Sequence, residues 1–111
     1  METTVFAESN EKQETRTGHL FTSIQKRNGQ TVPFNALKIQ QAIAKAGAAS
    51  GEFGIETAKQ LTFKALCLAQ TLLDKAVLHV EEIQDIVEEV LLSSAYKKTA
   101  KRFILYRDQH T

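Results

Sequence analysis

Lys26-Arg27-Asn28-Gly29-Gln30-Thr31-Val32-Pro33-Phe34-Asn35 is the stretch around which the chain is organised. Asn-Gly between two extended runs is the strongest short hairpin signal, because both central positions of a type I′ turn need positive φ. Before the turn, residues 19–26 alternate like a strand. Leu20, Thr22, Ile24 and Lys26 fall on one face, and Phe21, Ser23, Gln25 and Arg27 on the other. After it, the residue preceding a proline favours extended backbone, which puts Val32 in a return strand. Asn35 is a good N-cap for the helix that Ala36, Leu37 and Ile39 begin. The prediction is a small basic hairpin over the mouth of a helical body. Strand neighbours face opposite ways, so Lys26 and Arg27 meet one ligand together only if the twist near the turn converges them. Otherwise one binds and the other stays in solvent, or both merely keep a short edge soluble.

Helical spacing accounts for most of the chain beyond Asn35. Leu37, Ile39, Ala42, Ile43 and Ala46 give an apolar stripe over residues 36–48. Lys38 lies in the first turn, where a cation is disfavoured by the helix dipole unless an anion sits over the free N–H groups there. The plain alternative is an exposed lysine. Gly51 and Gly54 mark a connector. A second helix is predicted over residues 55–73 and is the most apolar, hence the expected centre of the bundle; Cys67 within it reads as a small buried hydrophobe. Residues 75–79 form a briefly extended connection. A third helix starts near Val80, with Glu81 and Glu82 in its first turn and Ile83, Ile86, Val87, Val90 and Leu91 as its stripe. Glu88 and Glu89 read as a solvated face, since adjacent residues diverge by about a quarter-turn and no histidines accompany them. Ser93 or Ser94 is positioned to cap a fourth helix over residues 95–109, where Lys97, Lys98, Lys101 and Arg102 surround Tyr96, Ala100 and Phe103.

Composition limits the function classes. With 111 residues, the chain makes one domain. The net charge of +1 provides no global field for nucleic acid or membrane, so an anion site has to be local. One cysteine excludes an internal disulfide and a cysteine metal cluster. No apolar run spans a bilayer and the start does not read as a signal peptide, so a cytoplasmic domain is expected. Residues 1–18 are polar and aperiodic and read as a disordered tail, leaving 19–111 as the domain. No Ser/His/Asp or Cys/His arrangement and no common phosphate loop is present; His19, His79 and His110 are scattered. Catalytic and metal-ligating residues are therefore expected to be absent.

Together these elements carry a resemblance. The cation pair Lys26-Arg27, the turn glycine, Pro33-Phe34 and Lys38-Ile39 resemble the opening of the ATP-cone domain. Residues 80–88 resemble its third helix. Tyr96, Ala100, Phe103 and Tyr106-Arg107 resemble its last, with Phe103 in place of the first tyrosine of the usual Tyr-x-x-Tyr-Arg ending. The likeness runs over residues 22–109. It implies a mainly α fold, a four-helix bundle with a small β-hairpin or sheet as cap. It also implies a regulatory module, not an enzyme, of the kind found at the N-terminus of ribonucleotide reductases, with the anaerobic type closest. The ligand implied is ATP or dATP, with Mg2+ as a companion. The partners implied are a reductase catalytic domain or subunit and a nucleotide-dependent oligomer.

Carried over by position, the resemblance assigns Lys26, Arg27 and Lys38 to phosphates and neighbouring groups. It assigns Asn35 to the helix entry beside the nucleotide, and Ile24 to the base. Tyr106 and Arg107 are last-helix positions facing the site, and Gln84 is a weaker addition. Val32 stands where some cones have a glutamate that helps recognise the nucleotide. A second reading is a helical protein- or nucleic-acid-interaction module, a degenerate cone or one like those of reductase-gene repressors. Repressors of that kind carry a zinc ribbon before the cone, and residues 1–21 contain no cysteine. A sensor needs Lys26, Arg27 and Lys38 around one pocket. A nucleic-acid binder needs them continuous with Lys97, Lys101 and Arg102.

Overall fold

The structure is a computed structural model and describes residues 21–109. The tail expected over residues 1–18 lies outside the described residues, as do His19, Leu20 and His110. Strand β1 (Ser23–Gln25) turns back into β2 (Thr31–Pro33), followed by α1 (Ala36–Ser50), α2 (Ile55–Leu72), β3 (Val77–His79), α3 (Val80–Ser93) and α4 (Lys97–Gln109). Among the described residues the fold is mainly α, with four helices and one small mixed sheet, in agreement with the sequence.

The sheet has the order β2-β1-β3. β1 pairs antiparallel with β2, Ile24 opposite Val32, and parallel with β3, Ile24 opposite Leu78. A parallel partner needs a long crossover, supplied here by β2, α1 and α2. Its register is fixed by Leu78, which is fully buried while its neighbours in β3 are not.

The hairpin turn differs from expectation. Asn28 does not have positive φ; only Gly29, at +90°, does. The Gly29 N–H donates to Lys26 O (2.9 Å), the Lys26 N–H donates to Gln30 O (2.7 Å), and Asn28 Oδ1 accepts from the Gln30 N–H (2.9 Å). This is a three-residue loop closed by a glycine bulge rather than a type I′ turn. One left-handed residue suffices for it, and the Asn28 side chain stabilises a turn it can make from negative φ.

The helices pack as a four-sided bundle in which α1 and α3 each contact α2 and α4. The helix expected at the centre, α2, is therefore one wall. It buries Ala58, Leu61, Ala65 and Ala69 but leaves Phe63 and Leu72 exposed, and Cys67 is only half-buried, against expectation. Ile43, Leu78 and Leu91 are the largest fully buried apolar side chains.

Helix starts are built from side chains. Asn35 Oδ1 accepts from the Leu37 N–H (3.0 Å) at α1. His79 and Glu82 form a capping box at α3: His79 Nδ1 accepts from the Glu81 N–H, and Glu82 accepts from the His79 N–H. Lys75 pairs with the same Glu82 at 2.6 Å. At α4, Ser94 holds the entry by accepting from the Tyr96 N–H, but the first-turn amides go elsewhere. Glu52, from the α1–α2 connector, accepts from the Thr99 N–H (2.8 Å), the Thr99 hydroxyl (2.7 Å) and the Lys98 N–H (3.4 Å). Burial opposes ionisation of Glu52, but these donors outweigh it and hold its carboxyl below the ordinary range.

Candidate functional site

Where the sheet meets the bundle, a cavity of about 260 Å³ opens between the hairpin, the N-terminal ends of α1 and α3, and the last turns of α4. Its walls are apolar: Ile24 and Val32 from paired strands, Phe34 from the β2–α1 link, Ile83 and Val87 from α3, and Phe103 from α4. Phe34 is steadied by Phe21, the rings lying 5.8 Å apart and tilted by 58°. Polar groups stand around this floor. Of the residues the sequence assigned to the site, Ile24, Lys26, Asn35, Lys38 and Tyr106 line the cavity, together with Gln84. Apolar walls with a few convergent polar groups are the usual form of a small-molecule site.

Two cations in the cavity wall have no acidic partner among the described residues. Neither the Lys26 nor the Lys38 ammonium pairs with a carboxylate among the described residues, whereas Lys59, Lys75, Arg27 and Arg107 all do. Lys26 reaches the cavity because it continues the face of Ile24, as the strand alternation predicts. Arg27 does not line it.

The Arg27 guanidinium spans to α3 instead. Its Nε donates to Glu81 and its Nη2 to Gln84 Oε1 (2.8 Å). Gln84 is a cavity residue, so Arg27 stands at the rim, behind it. Arg107 is not among the cavity-lining residues either. Its guanidinium, only 16% exposed, is held by Glu81 and Asp85 at 2.9 Å each and by Glu88 at 2.7 Å. Burial works against the charged form, but the three carboxylates outweigh it and raise the Arg107 pKa. Glu81 is held below the ordinary carboxylate range by its hydrogen bonds to Arg27 first and Arg107 second. Glu88 is thus a half-buried ion-pair partner, and only Glu89 of that pair has the exposed position expected of both.

The α1 N-terminus is less open than expected. The Leu37 and Lys38 N–H groups are already bonded to the Asn35 side chain and carbonyl (3.0 and 3.1 Å). The positive end of the helix remains, but an anion above it relies on the lysines more than on free amides.

Sequence reasoning missed the counter-ions. Glu81, Asp85 and Glu88 recur at i, i+4 and i+7, a spacing that places three carboxylates on one stripe of α3. That stripe was legible, but its target was not, because Arg107 lies on another helix. The basic residues of α4 do not extend the site. Lys97, Lys98 and Lys101 are exposed and do not line the cavity, and Arg102 lines with Lys45 an adjoining groove between α1 and α4 that shares Ala42, Phe103 and Tyr106 with it.

Comparison with known proteins identifies the family. The sequence profile of the ATP cone domain matches residues 22–111, and the chain belongs to that family. ATP cones are regulatory domains that take nucleotide effectors. Among relatives, the vitamin B12-dependent ribonucleoside-diphosphate reductase of Thermoplasma acidophilum is 38% identical over 95 residues, covering 81% of this chain and 12% of that protein. The ribonucleoside-diphosphate reductase subunit alpha of Chlamydia pneumoniae is 32% identical over 93 residues (78% and 9%). The anaerobic ribonucleoside-triphosphate reductase of Salmonella typhimurium is 32% identical over 84 residues (76% and 11%). The chain thus spans about a tenth of the length of each. No helix among the described residues is long and apolar enough to cross a membrane.

Proposed function

We propose that the chain is a nucleotide-sensing module that binds ATP or dATP in the cavity between hairpin and bundle and controls a ribonucleotide reductase allosterically. The observation that carries this reading is the pair of lysines, Lys26 and Lys38, facing one apolar cavity without acidic partners among the described residues. Unneutralised cations beside an apolar floor suit a ligand that is flat and apolar at one end and polyanionic at the other. The base lies against Ile24, Val32 and Phe34. The phosphates lie towards Lys26, Lys38 and the α1 N-terminus, with Asn35 and Tyr106 at the edge. Mg2+ travels with the triphosphate. Arg27 reaches the phosphates from the rim, and Arg107 acts behind it through Glu81. The setting is cytoplasmic. The partner is a reductase catalytic domain or subunit, with assembly state responding to the nucleotide.

Distinguishing ATP from dATP rests on a single 2′-hydroxyl. Their opposite effects would come from different coupling to the rest of an assembly, not from affinity alone.

Isothermal titration with ATP and dATP, with and without Mg2+, tests the reading. Micromolar binding by the wild-type chain, weakened at least about tenfold in a Lys26→Ala/Lys38→Ala variant, is the expected result. A folded, monodisperse wild-type sample that binds neither nucleotide would overturn it.

A further inference from the structure

The role of Glu81 goes beyond placing the site. We propose that Glu81 is an internal competitor for the ligand: it holds the Arg27 guanidinium, and a polyphosphate entering the cavity takes that guanidinium over. The proposal rests on the reading of the cavity as a nucleotide site and concerns how its affinity is set.

Three observations carry it. First, Arg27 gives its Nε–H and an Nη2–H to Glu81 and Gln84. These lie on the edge of the guanidinium that a phosphate would engage in two-pronged fashion, and a carboxylate and a phosphate demand the same donors in the same plane. Second, Gln84 belongs both to the cavity wall and to the Arg27 contact, so the guanidinium is adjacent to the cavity without lining it. A rotation of one side chain, with no movement of an element, separates the two positions.

Third, the two ends of the Glu81 bridge are unequal. On the Arg27 side the side chain is 32% exposed, within reach of solvent and of a competing anion. On the other side Arg107 is half as exposed and is held by Asp85 and Glu88 as well. When Arg27 leaves, Glu81 keeps Arg107 and is not stranded as an unpaired carboxylate. The network can release Arg27 without coming apart. Among the described residues Lys26 and Lys38 carry no such restraint, so they make the first contact and Arg27 follows.

A state in which Arg27 is tied up reduces the apparent affinity by the fraction of molecules in which it is released. Removing the competitor should therefore tighten binding. Glu81→Gln keeps the size of the side chain and removes its charge. Glu81→Asp keeps the charge at the start of α3 and withdraws it from Arg27, which covers the case in which the first variant folds poorly. In titrations of the whole chain with ATP, both variants should bind about 1.5-fold to fivefold more tightly, the range of an exposed ion pair. AMP should show a smaller gain.

Any lost negative charge near the cavity also favours an anion, and an Arg27→Ala background separates the two effects. Competition predicts that the gain from Glu81→Gln disappears when Arg27 is absent. A gain of equal size in both backgrounds, or unchanged or weaker ATP binding in Glu81→Gln with a wild-type circular dichroism spectrum, would overturn it. Wild-type binding without the gain defeats only this inference. Absence of nucleotide binding in wild type and variants alike defeats the proposed function, and this inference with it.

Discussion

Arg27 in the hairpin turn and Arg107 in the last turns of α4 hold the two oxygens of one carboxylate, that of Glu81 in the first turn of α3. Three elements far apart in sequence are thus joined at the rim of the candidate site. The arrangement gives the domain a physical link between Arg27 at the cavity rim and the end of its last helix. Coupling of this kind requires an element whose equilibrium both ends bias, and Glu81 is placed to be shared or released.

Arg107 has a structural role that its sequence position does not reveal. An Arg107→Ala variant leaves Glu81, Asp85 and Glu88 facing one another without their shared cation. The expected cost is about 1–3 kcal/mol of unfolding free energy, since a partly buried charged network loses the partner that satisfies it. Urea denaturation followed by circular dichroism measures it. A change within about 0.5 kcal/mol, the range of ordinary surface substitutions, would show that the cluster is dispensable.

Stability should fall in acid for identifiable reasons. Glu52, Glu81 and Glu82 are each held below the ordinary value of 4.5. Glu52 is held there by the Thr99 and Lys98 donors against the opposing effect of burial, Glu81 by Arg27 and Arg107, and Glu82 by Lys75 and the His79 amide. A carboxyl with a lowered folded-state pKa contributes stability that is complete above its unfolded value and is lost as pH falls through its folded value. The three contributions are therefore intact at neutral pH and disappear below about pH 4.5. Glu52→Gln should be less stable than wild type at neutral pH, and the difference should shrink as the medium is acidified. Denaturation curves at several pH values check this; a difference that grows in acid would contradict it.

Gly47 lies in the last turn of α1, and within a helix alanine is normally more stable than glycine by about 0.5–1 kcal/mol. Here a Cβ would stand 2.2 Å from the ring of Phe53, which is itself packed edge-on against Tyr96 with centroids 4.8 Å apart. Displacing that ring costs about 1–3 kcal/mol, and overpacking wins. Gly47→Ala should lower the melting temperature by several degrees, at roughly 4–8 °C per kcal/mol for a domain of this size. A raised melting temperature would mean that the ring moves aside freely.

Much of this protein was legible in its residues because the relevant signals are local. The stripes of α1 and α3 follow from helical spacing, the Asn35 cap from its place before Ala36, and the return strand from Val32-Pro33. The pairing of Ile24 with Lys26 on one face follows from strand alternation and brings Lys26 into the cavity. The Asn-Gly dipeptide correctly announced a turn but not its type. Type I′ and a glycine bulge both need a left-handed residue at Gly29, and the backbone of Asn28, which is not left-handed, decides between them.

What the sequence by itself determined is the set of elements, their order, and the gathering of Lys26, Asn35 and Lys38 near one helix start, since periodicity, capping and turn chemistry act over a few residues. Only the tertiary structure decided which charges meet. It gave Arg27 and Arg107 to Glu81, gave the α4 amides to Glu52 from a distant connector, and left Lys26 and Lys38 without acidic partners among the described residues. Those outcomes depend on how helices close on one another, and an ion pair between remote residues leaves no periodic trace along the chain.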